Sequence, residues 1–334
     1  MKILVTGGAG FMGSNFIHYL IKKYPEYKIV NLDKLTYSGN LANLADVEKN
    51  PNYSFVKGDI CDEKLVQEII KGVDIIVNYA AETHVDRSIL DPSSFIKTDV
   101  LGTYTLLESA RKNNVGRFIQ ISTDEVFGSI NNGKFTEDSP FLPNSPYAAS
   151  KGGGDLLCRS YIVTYNMPLI VTHSCNFFGP FHYPEKFIPL AIINLLQNKK
   201  VPIYGDGLNV REWIYTEDHC NAIDIILHKG KLGEVYNISS EEEHRNIDVV
   251  KKMISFLGKD ESMIEFVKDR PGHDRRYALD SSKLINELGW KPLFSFDDAL
   301  QKTINWFKEN EAWWKNIIDS ESYQSYYKKQ YGAI

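Results

Sequence analysis

Tyr147 and Lys151 stand four residues apart in a stretch with helical periodicity, so both project from one helix face. A phenol titrates near 10 and is a poor base at neutral pH. An ammonium beside it and a cationic ring in front of it would both favour the phenolate and lower that value. The segment Ser122-Thr123-Asp124-Glu125-Val126-Phe127-Gly128 follows the apolar run Arg117–Ile121. Two carboxyl groups at the end of a strand are costly unless used. In different environments, one donates a proton while the other accepts one. Adjacent strand residues point to opposite faces, so the strand has to end near Ser122 if Thr123, Asp124 and Glu125 are to serve one ligand. A surface Tyr–Lys pair and a solvated acidic turn are the competing readings. The positions of these groups beside a nucleotide cradle weigh against both.

That cradle is Gly7-Gly8-Ala9-Gly10-Phe11-Met12-Gly13, which leaves a short apolar strand and opens a helix. Glycines there allow a tight turn and let backbone N–H groups approach a pyrophosphate at the positive helix end. Asp33 ends the second strand 20 residues after Gly13. Its carboxylate can accept both adenosine ribose hydroxyls and repels a 2′-phosphate, so NAD is the expected cofactor. The neighbouring Lys34 would blunt that choice. Asp59-Ile60 is placed to meet the adenine, or else Asp59 caps a helix before Cys61-Asp62. Ala80-Ala81-Glu82 follows a fourth strand, and small residues there let a cofactor lie close to a sheet.

The elements that must hold these groups alternate. Lys2–Thr6, Lys28–Leu32, Tyr53–Lys57, Asp74–Asn78, Arg117–Ser122 and Leu169–His173 read as strands. Phe11–Lys23, Pro92–Asn113 and Tyr147–Tyr165 read as helices between them. This predicts an α/β fold, a Rossmann-type doubly wound parallel sheet covered on both faces. Beyond Asn176 prolines crowd and the elements shorten, with helices near Glu217–His228, Ile247–Leu257 and Phe296–Glu309 and a strand near Val235–Ile238. A smaller C-terminal α+β substrate-binding lobe is expected there. The expected division is residues 1–175, dinucleotide-binding and carrying the catalytic groups, and residues 176–334, mainly the lobe. The boundary is approximate and leaves room for interleaving. The tail Tyr323–Tyr331 reads as a loose end or a flap over a pocket.

Composition narrows the function classes. With 43% hydrophobic and 24% charged residues the chain is globular rather than disordered. Its 38 basic and 43 acidic residues nearly balance, which does not suggest a nucleic-acid binder. Cys61, Cys158, Cys175 and Cys220 form no C-x-x-C pair, arguing against a disulfide framework or zinc site and for a reducing cytoplasm. No apolar run is long enough for a membrane span, and the N-terminus reads as a strand rather than a signal peptide. Glu241-Glu242-Glu243-His244 reads as a solvated charge run, and no metal is expected.

The Thr-Gly-x-x-Gly-x-x-Gly, Ser-Thr and Tyr-x-x-x-Lys motifs together resemble the extended short-chain dehydrogenases/reductases acting on nucleotide sugars. Several stretches look like the dTDP-glucose 4,6-dehydratase branch of that family: Leu32–Tyr37, Ala80–Ser88, Ser122–Gly128, Pro184–Leu190, Tyr204–Gly207, Val210–Trp213 and Asp269–Asp274. The resemblance runs nearly end to end, and the Asp124-Glu125 pair is its most discriminating motif. It implies that Tyr147 takes the sugar 4-hydroxyl proton, with Thr123 on the same oxygen. Glu125 removes the C5 proton, Asp124 protonates the departing 6-hydroxyl, and Lys151 holds the nicotinamide ribose. It places Gly7, Gly10, Phe11, Met12, Gly13, Asp33, Lys34, Thr36, Asp59, Ile60, Ala80, Ala81, Thr98, Tyr147, Lys151 and Asn176 on the cofactor. It places Thr83, Thr123, Asn176, Glu185, Lys186, Pro202, Tyr204, Arg211, Asn246, Arg270, His273 and Tyr331 on a nucleotide-sugar substrate. A homodimer through Pro92–Asn113 and Tyr147–Tyr165 is also implied, although both helices are apolar enough to be covered within one chain.

Taken alone, several of these residues keep a plainer reading. Arg211 and Arg270 suit a diphosphate or surface ion pairs. His273 suits a loop, and Asn246 suits a helix cap before Ile247. Thr83 stands where the family usually has Ser, and Phe178 where Tyr is common. Gly152-Gly153-Gly154 is glycine-rich for a helix interior, as if to let the cofactor lie against it. Two alternatives remain open: a 4-epimerase or decarboxylase of the same superfamily, which would not need the acidic pair, and a non-catalytic NAD-sensing protein.

Overall fold

The computed structural model describes residues 1–331, the side chain of Tyr331 excepted. Apolar runs bounded by glycine and polar residues form its centre. These are β1 (Lys2–Thr6), β2 (Lys28–Asp33), β3 (Tyr53–Lys57), β4 (Ile75–Asn78), β5 (Arg117–Thr123) and β6 (Leu169–Ser174), each within a residue of its expected ends. Helix α1 (Phe11–Lys23) follows β1, α2 (Glu63–Ile69) follows β3, and α3 (Val85–Leu90) follows β4. α6 (Pro146–Tyr165) precedes β6. The strand order is β10-β6-β5-β4-β1-β2-β3, with every pairing parallel. The order reverses between β1 and β4, and at that switch point the carboxyl ends of the strands open a crevice. β10 (Val235–Ile238) comes from beyond residue 176 yet forms the outer strand of this sheet.

Strand alternation sends Ile3 and Val5 to one face and Leu4 to the other. The first face packs on Phe16 and Leu20 of α1 and on Ile223 and Ile226 of α8 (Thr216–Lys229). The second packs on Leu106, Leu107, Cys158 and Tyr161. Both layers exclude water, which makes the sheet a rigid mount for whatever its strand ends carry.

The helix expected over Pro92–Asn113 is not regular. α4 (Pro92–Phe95) passes into a π-helical segment, Ile96–Gly102, before α5 (Thr103–Lys112). Helix α6 crosses that segment closely: a Cβ on Gly154 would lie 2.7 Å from the Asp99 carbonyl oxygen, and one on Gly153 3.1 Å from Val100. These two glycines therefore serve the approach of two helices, not that of a cofactor as expected.

The lobe is built from β7 (Asn176–Phe178), α7 (Phe187–Leu196), β8 (Val201–Tyr204), β9 (Val210–Tyr215), β11 (Glu243–Arg245), α9 (Asn246–Phe256) and β12 (Ile264–Val267). α10 (Ser282–Leu288), α11 (Phe296–Glu309), α12 (Glu311–Ile318) and α13 (Glu321–Tyr331) complete the chain. Two small sheets, β11-β9-β7 and β12-β8, lie against Ile188, Ile192, Val249, Met253, Leu300 and Trp314. Helix α13 is neither loose nor remote. Its Tyr326 and Gln330 reach back to α3 at the edge of the crevice. Among the described residues no helix is long and apolar enough to cross a membrane.

Candidate functional site

Every residue placed on the cofactor or substrate from the sequence, other than Tyr331, lines one cleft between the sheet and the lobe. Tyr331 ends α13, and its side chain lies outside the described residues.

At the cofactor end, Gly7 has φ +67°, and a Cβ there would lie 2.6 Å from the Ala80 nitrogen. The turn thus presses against the small residues after β4. Gly10 precedes α1 in extended conformation, and no side chain caps the helix, so the first-turn N–H groups stay free for an anion. Asp33 accepts from Ala9 N at 2.9 Å and Leu35 N at 2.7 Å, leaving further lone pairs of its carboxylate for ribose hydroxyls. Lys34 does not blunt that charge as expected. Its ammonium is 2.7 Å from Asp59, which removes it as a ready partner for a 2′-phosphate. Asp62, not Asp59, caps α2. An uncapped helix end, a glycine turn and a ribose-facing carboxylate fit an adenine dinucleotide.

At the other end, β5 stops at Thr123, one residue later than expected, and Asp124–Phe127 turns into a single 3₁₀ coil. Thr123 Oγ1 accepts from Glu125 N at 3.3 Å and donates to Asp124 Oδ1 at 3.1 Å. This tight turn, rather than strand geometry, brings the three side chains to one cleft. Asp124 is 2% exposed and its Oδ2 has no partner. Burial, then the neighbouring Glu125, push its carboxyl well above the ordinary range. Burial raises Glu125 as well, but Arg270, Arg211 and Lys186 all oppose that shift. A carboxyl pushed strongly toward its protonated form and one whose rise is opposed by cations therefore sit side by side.

The groups of the chain do not by themselves lower Tyr147, and the expectation also called on a cationic nicotinamide. Burial, then Glu125 and Asp99, hold its phenol well above 10, opposed by its hydrogen bond with Thr123. The ammonium of Lys151 is turned away to the Ile121 carbonyl, 2.7 Å from its oxygen. Only a cation in front of the ring could reverse this balance, which the charge on an oxidised nicotinamide would do.

The lobe supplies cations. Arg211 is buried, donates to the Val210 and Asp274 carbonyls at 2.8 Å each and lies 4.2 Å over the Tyr277 ring. Lys186 donates to Thr83 Oγ1 at 2.9 Å, and burial brings its ammonium down to about 8. Arg270 pairs with Asp86 at 3.0 Å rather than with a surface acid. His273 Nδ1 donates to Asp269 Oδ1 at 2.6 Å, and burial lowers the imidazole to about 4. Asn176 Oδ1 and Asn246 Oδ1 are buried without a partner. Asn246 is the first residue of α9 and Arg245 takes the cap position, so the helix-cap reading of Asn246 fails. Glu185 commits both carboxylate oxygens to Arg87, at 2.7 to 3.2 Å.

Sequence reasoning missed the group around α3. Arg87 lies between the rings of Tyr37, at 3.5 Å, and Tyr326, at 4.2 Å. Asp86 collects Arg270, the Tyr204 hydroxyl at 3.1 Å and the Gln330 amide at 3.1 Å. His84 precedes them at φ +81°, strained for a non-glycine residue. The Ala80–Ser88 stretch held this signal, but only the tertiary contacts give it meaning. Glu241–His244 is tied into ion pairs with Lys134 and Arg276, and among the described residues no group of three ligating side chains could hold a metal ion.

A doubly wound sheet with a glycine cradle, a Tyr–Lys helix and a lobe of cations defines a nucleotide-sugar short-chain dehydrogenase/reductase. A family model described as GDP-mannose 4,6 dehydratase matches residues 4–303, and the chain belongs to that family. It is 50% identical over 307 residues to the low-salt glycan biosynthesis protein Agl12 of Haloferax volcanii, covering 92% of this chain and 98% of that one. It is 47% identical over 321 residues to a dTDP-glucose 4,6-dehydratase of Streptomyces niveus, covering 95% and 96%. The crystal structure of DesIV, a dTDP-glucose 4,6-dehydratase from Streptomyces venezuelae with NAD bound, superposes with a TM-score of 0.93. The two are 49% identical, over 95% of this chain and 100% of that one.

Proposed function

We propose that this chain is an NAD-dependent hydro-lyase that converts dTDP-glucose into dTDP-4-keto-6-deoxyglucose and water. The observation that carries the reading is the Asp124–Glu125 pair, brought into the cleft by one turn, with Asp124 buried and raised and Glu125 faced by three cations. An epimerase has no use for such a pair. NAD, held by the Gly7–Gly13 turn, Asp33 and Lys151, supplies a hydride acceptor for C4 and returns that hydride at C6. Tyr147 takes the proton of the 4-hydroxyl while Thr123 bonds the same oxygen. Once C4 is a ketone, the C5 proton is acidic and Glu125 removes it. Asp124 gives its proton to the 6-oxygen, which departs as water, and as hydride returns to C6 the proton held on Glu125, exchangeable with solvent, goes back to C5. Arg211, Arg270 and Lys186 hold the diphosphate, with Asn176 and Asn246 offering unpaired amide oxygens to the ligand.

The same proposal covers assembly and setting. Ile96, Leu101, Tyr104, Leu156, Val163 and Tyr165 are exposed, and they lie along the two helical stretches implied in a homodimer. Four free thiols support a reducing, cytoplasmic compartment, and the near balance of charge supports a small-molecule rather than a nucleic-acid partner. The purified protein incubated with dTDP-glucose should form a 4-keto-6-deoxy product without added oxidant. Formation of dTDP-galactose instead would establish the epimerase reading and end this one.

A further inference from the structure

Helix α6 carries a third polar residue on the face of Tyr147 and Lys151, at the same four-residue spacing: Asp155. It is buried between two strands. Ser122 Oγ donates to Asp155 Oδ2 at 2.5 Å, and His173 Nε2 lies 3.3 Å from the same oxygen. Ser122 and His173 face each other in the β5–β6 register. Phe127, in the turn that carries Asp124 and Glu125, sets its ring 4.8 Å from that of His173. A buried carboxylate is costly unless it is well bonded, and none of the proposed steps gives Asp155 a proton to move.

We propose that Asp155 is a positioning residue, its carboxylate clamping α6 to the end of β5 so that Tyr147 from the helix and Thr123 from the strand close on one sugar oxygen. This rests on the function proposed above. The clamp has two bonds one helical turn apart. Lys151 Nζ grips the Ile121 carbonyl at 2.7 Å, and Asp155 grips the side chain of the next residue, Ser122. The steps of the reaction depend on it unequally. Oxidation at C4 needs groups from both elements. Elimination needs Asp124 and Glu125, which belong to one turn of chain and move together. Loosening the clamp should therefore slow oxidation and leave elimination competent.

The test compares Asp155→Asn, Ser122→Ala and the double variant, each as the whole enzyme with its cofactor. The substrate is dTDP-glucose, unlabelled and deuterated at C4. Asparagine keeps the size but offers one oxygen to two donors. A misplacement of about 1 Å costs up to about 100-fold in rate. We therefore expect kcat to fall about 10- to 100-fold in Asp155→Asn, with KM close to native. The isotope effect on kcat should grow in both single variants, because oxidation becomes the slow step. The double variant should be no slower than the slower single, since both changes cut one bond. A lower melting temperature with native kcat and isotope effect in the folded fraction would reduce Asp155 to a purely structural role and overturn the proposal, as would losses that multiply. Should Asp155→Asn fail to fold, Ser122→Ala decides alone, because it leaves Asp155 paired with His173. If the native enzyme forms no keto product, the functional reading fails first and takes this proposal with it.

Discussion

Asp124→Asn should damage the reaction and strengthen the fold at the same time. In the folded protein the carboxyl is 2% exposed, with one oxygen bonded to Thr123 and the other unpaired. Burial and Glu125 raise it well above its unfolded value near 3.8. Above pH 3.8 the folded chain therefore holds this proton more tightly than the unfolded chain does. A group raised in this way contributes fully below its unfolded value, and that contribution is lost as pH rises toward its folded value. Asparagine has the same shape and no such loss. The melting temperature of the variant should match the native one near pH 3 and exceed it at pH 8. Catalysis moves the other way. A positioned acid is worth about 10²- to 10⁴-fold, or about 2.7 to 5.4 kcal/mol of barrier. Product formation should fall by that factor. The absorbance of reduced nicotinamide should persist, because C4 oxidation does not need Asp124. A variant that is less stable at pH 8, or that makes product at the native rate, would refute the assignment of Asp124 as a neutral proton donor.

Three further substitutions probe other parts of the cleft. Glu125→Gln in heavy water should still oxidise C4 but carry little solvent deuterium to C5; wash-in at the native rate would mean that another base acts there. Asp33→Asn should lower the preference for NAD over NADP by about tenfold or more, a charge effect of about 1.4 kcal/mol, read by titrating both dinucleotides into the protein. An unchanged ratio would place the discrimination elsewhere. Two glycines of α6, Gly152 and Gly154, should behave in opposite ways. A Cβ on Gly152 would meet Phe141 at 3.6 Å and Val126 at 3.9 Å, both ordinary contacts, so Gly152→Ala should stabilise by up to about 1 kcal/mol. One on Gly154 would meet the Asp99 carbonyl at 2.7 Å, so Gly154→Ala should cost about 1–3 kcal/mol in denaturant unfolding. Equal effects would mean that the two helices part freely.

What could be read from the sequence was whatever a local rule determines. The central strands declared themselves as short apolar runs, and Phe296–Glu309 was placed to the residue because its amphipathic stripe is strong. The cradle, Asp33, the acidic pair and the Tyr–Lys helix were visible because each requires particular residue types at fixed spacing. The short strands β7, β8, β9, β11 and β12 were not visible, since three to six residues are too few to show a periodicity. The π-helical segment left no trace either, and the helix it packs against, through Gly154, is distant in sequence. Lys34 was misjudged for the same reason: its charge is settled by Asp59, 25 positions along the chain. Asp86, Arg87 and Asp155 each draw their role from partners brought in by the fold.

The unequal shifts of two neighbouring carboxyls have two sources. Burial raises both, and it is fuller at Asp124, 2% exposed, than at the half-buried Glu125. A further difference enters with Lys186, Arg211 and Arg270, which the lobe turns toward Glu125. Of these, Arg211 alone opposes the rise of Asp124. The cations proposed to hold the diphosphate thus also oppose the rise of the base. A lobe residue such as Lys186 should then affect more than binding. Its removal withdraws a charge from Glu125, whose value moves further up, and less of it is ionised at neutral pH. Lys186→Met should lower kcat as well as raise KM, and the acid limb of the kcat–pH profile should move to higher pH. A change confined to KM would show that lobe and sheet act independently. A shifted limb would show that the charge of the substrate-binding half sets the working range of the catalytic one.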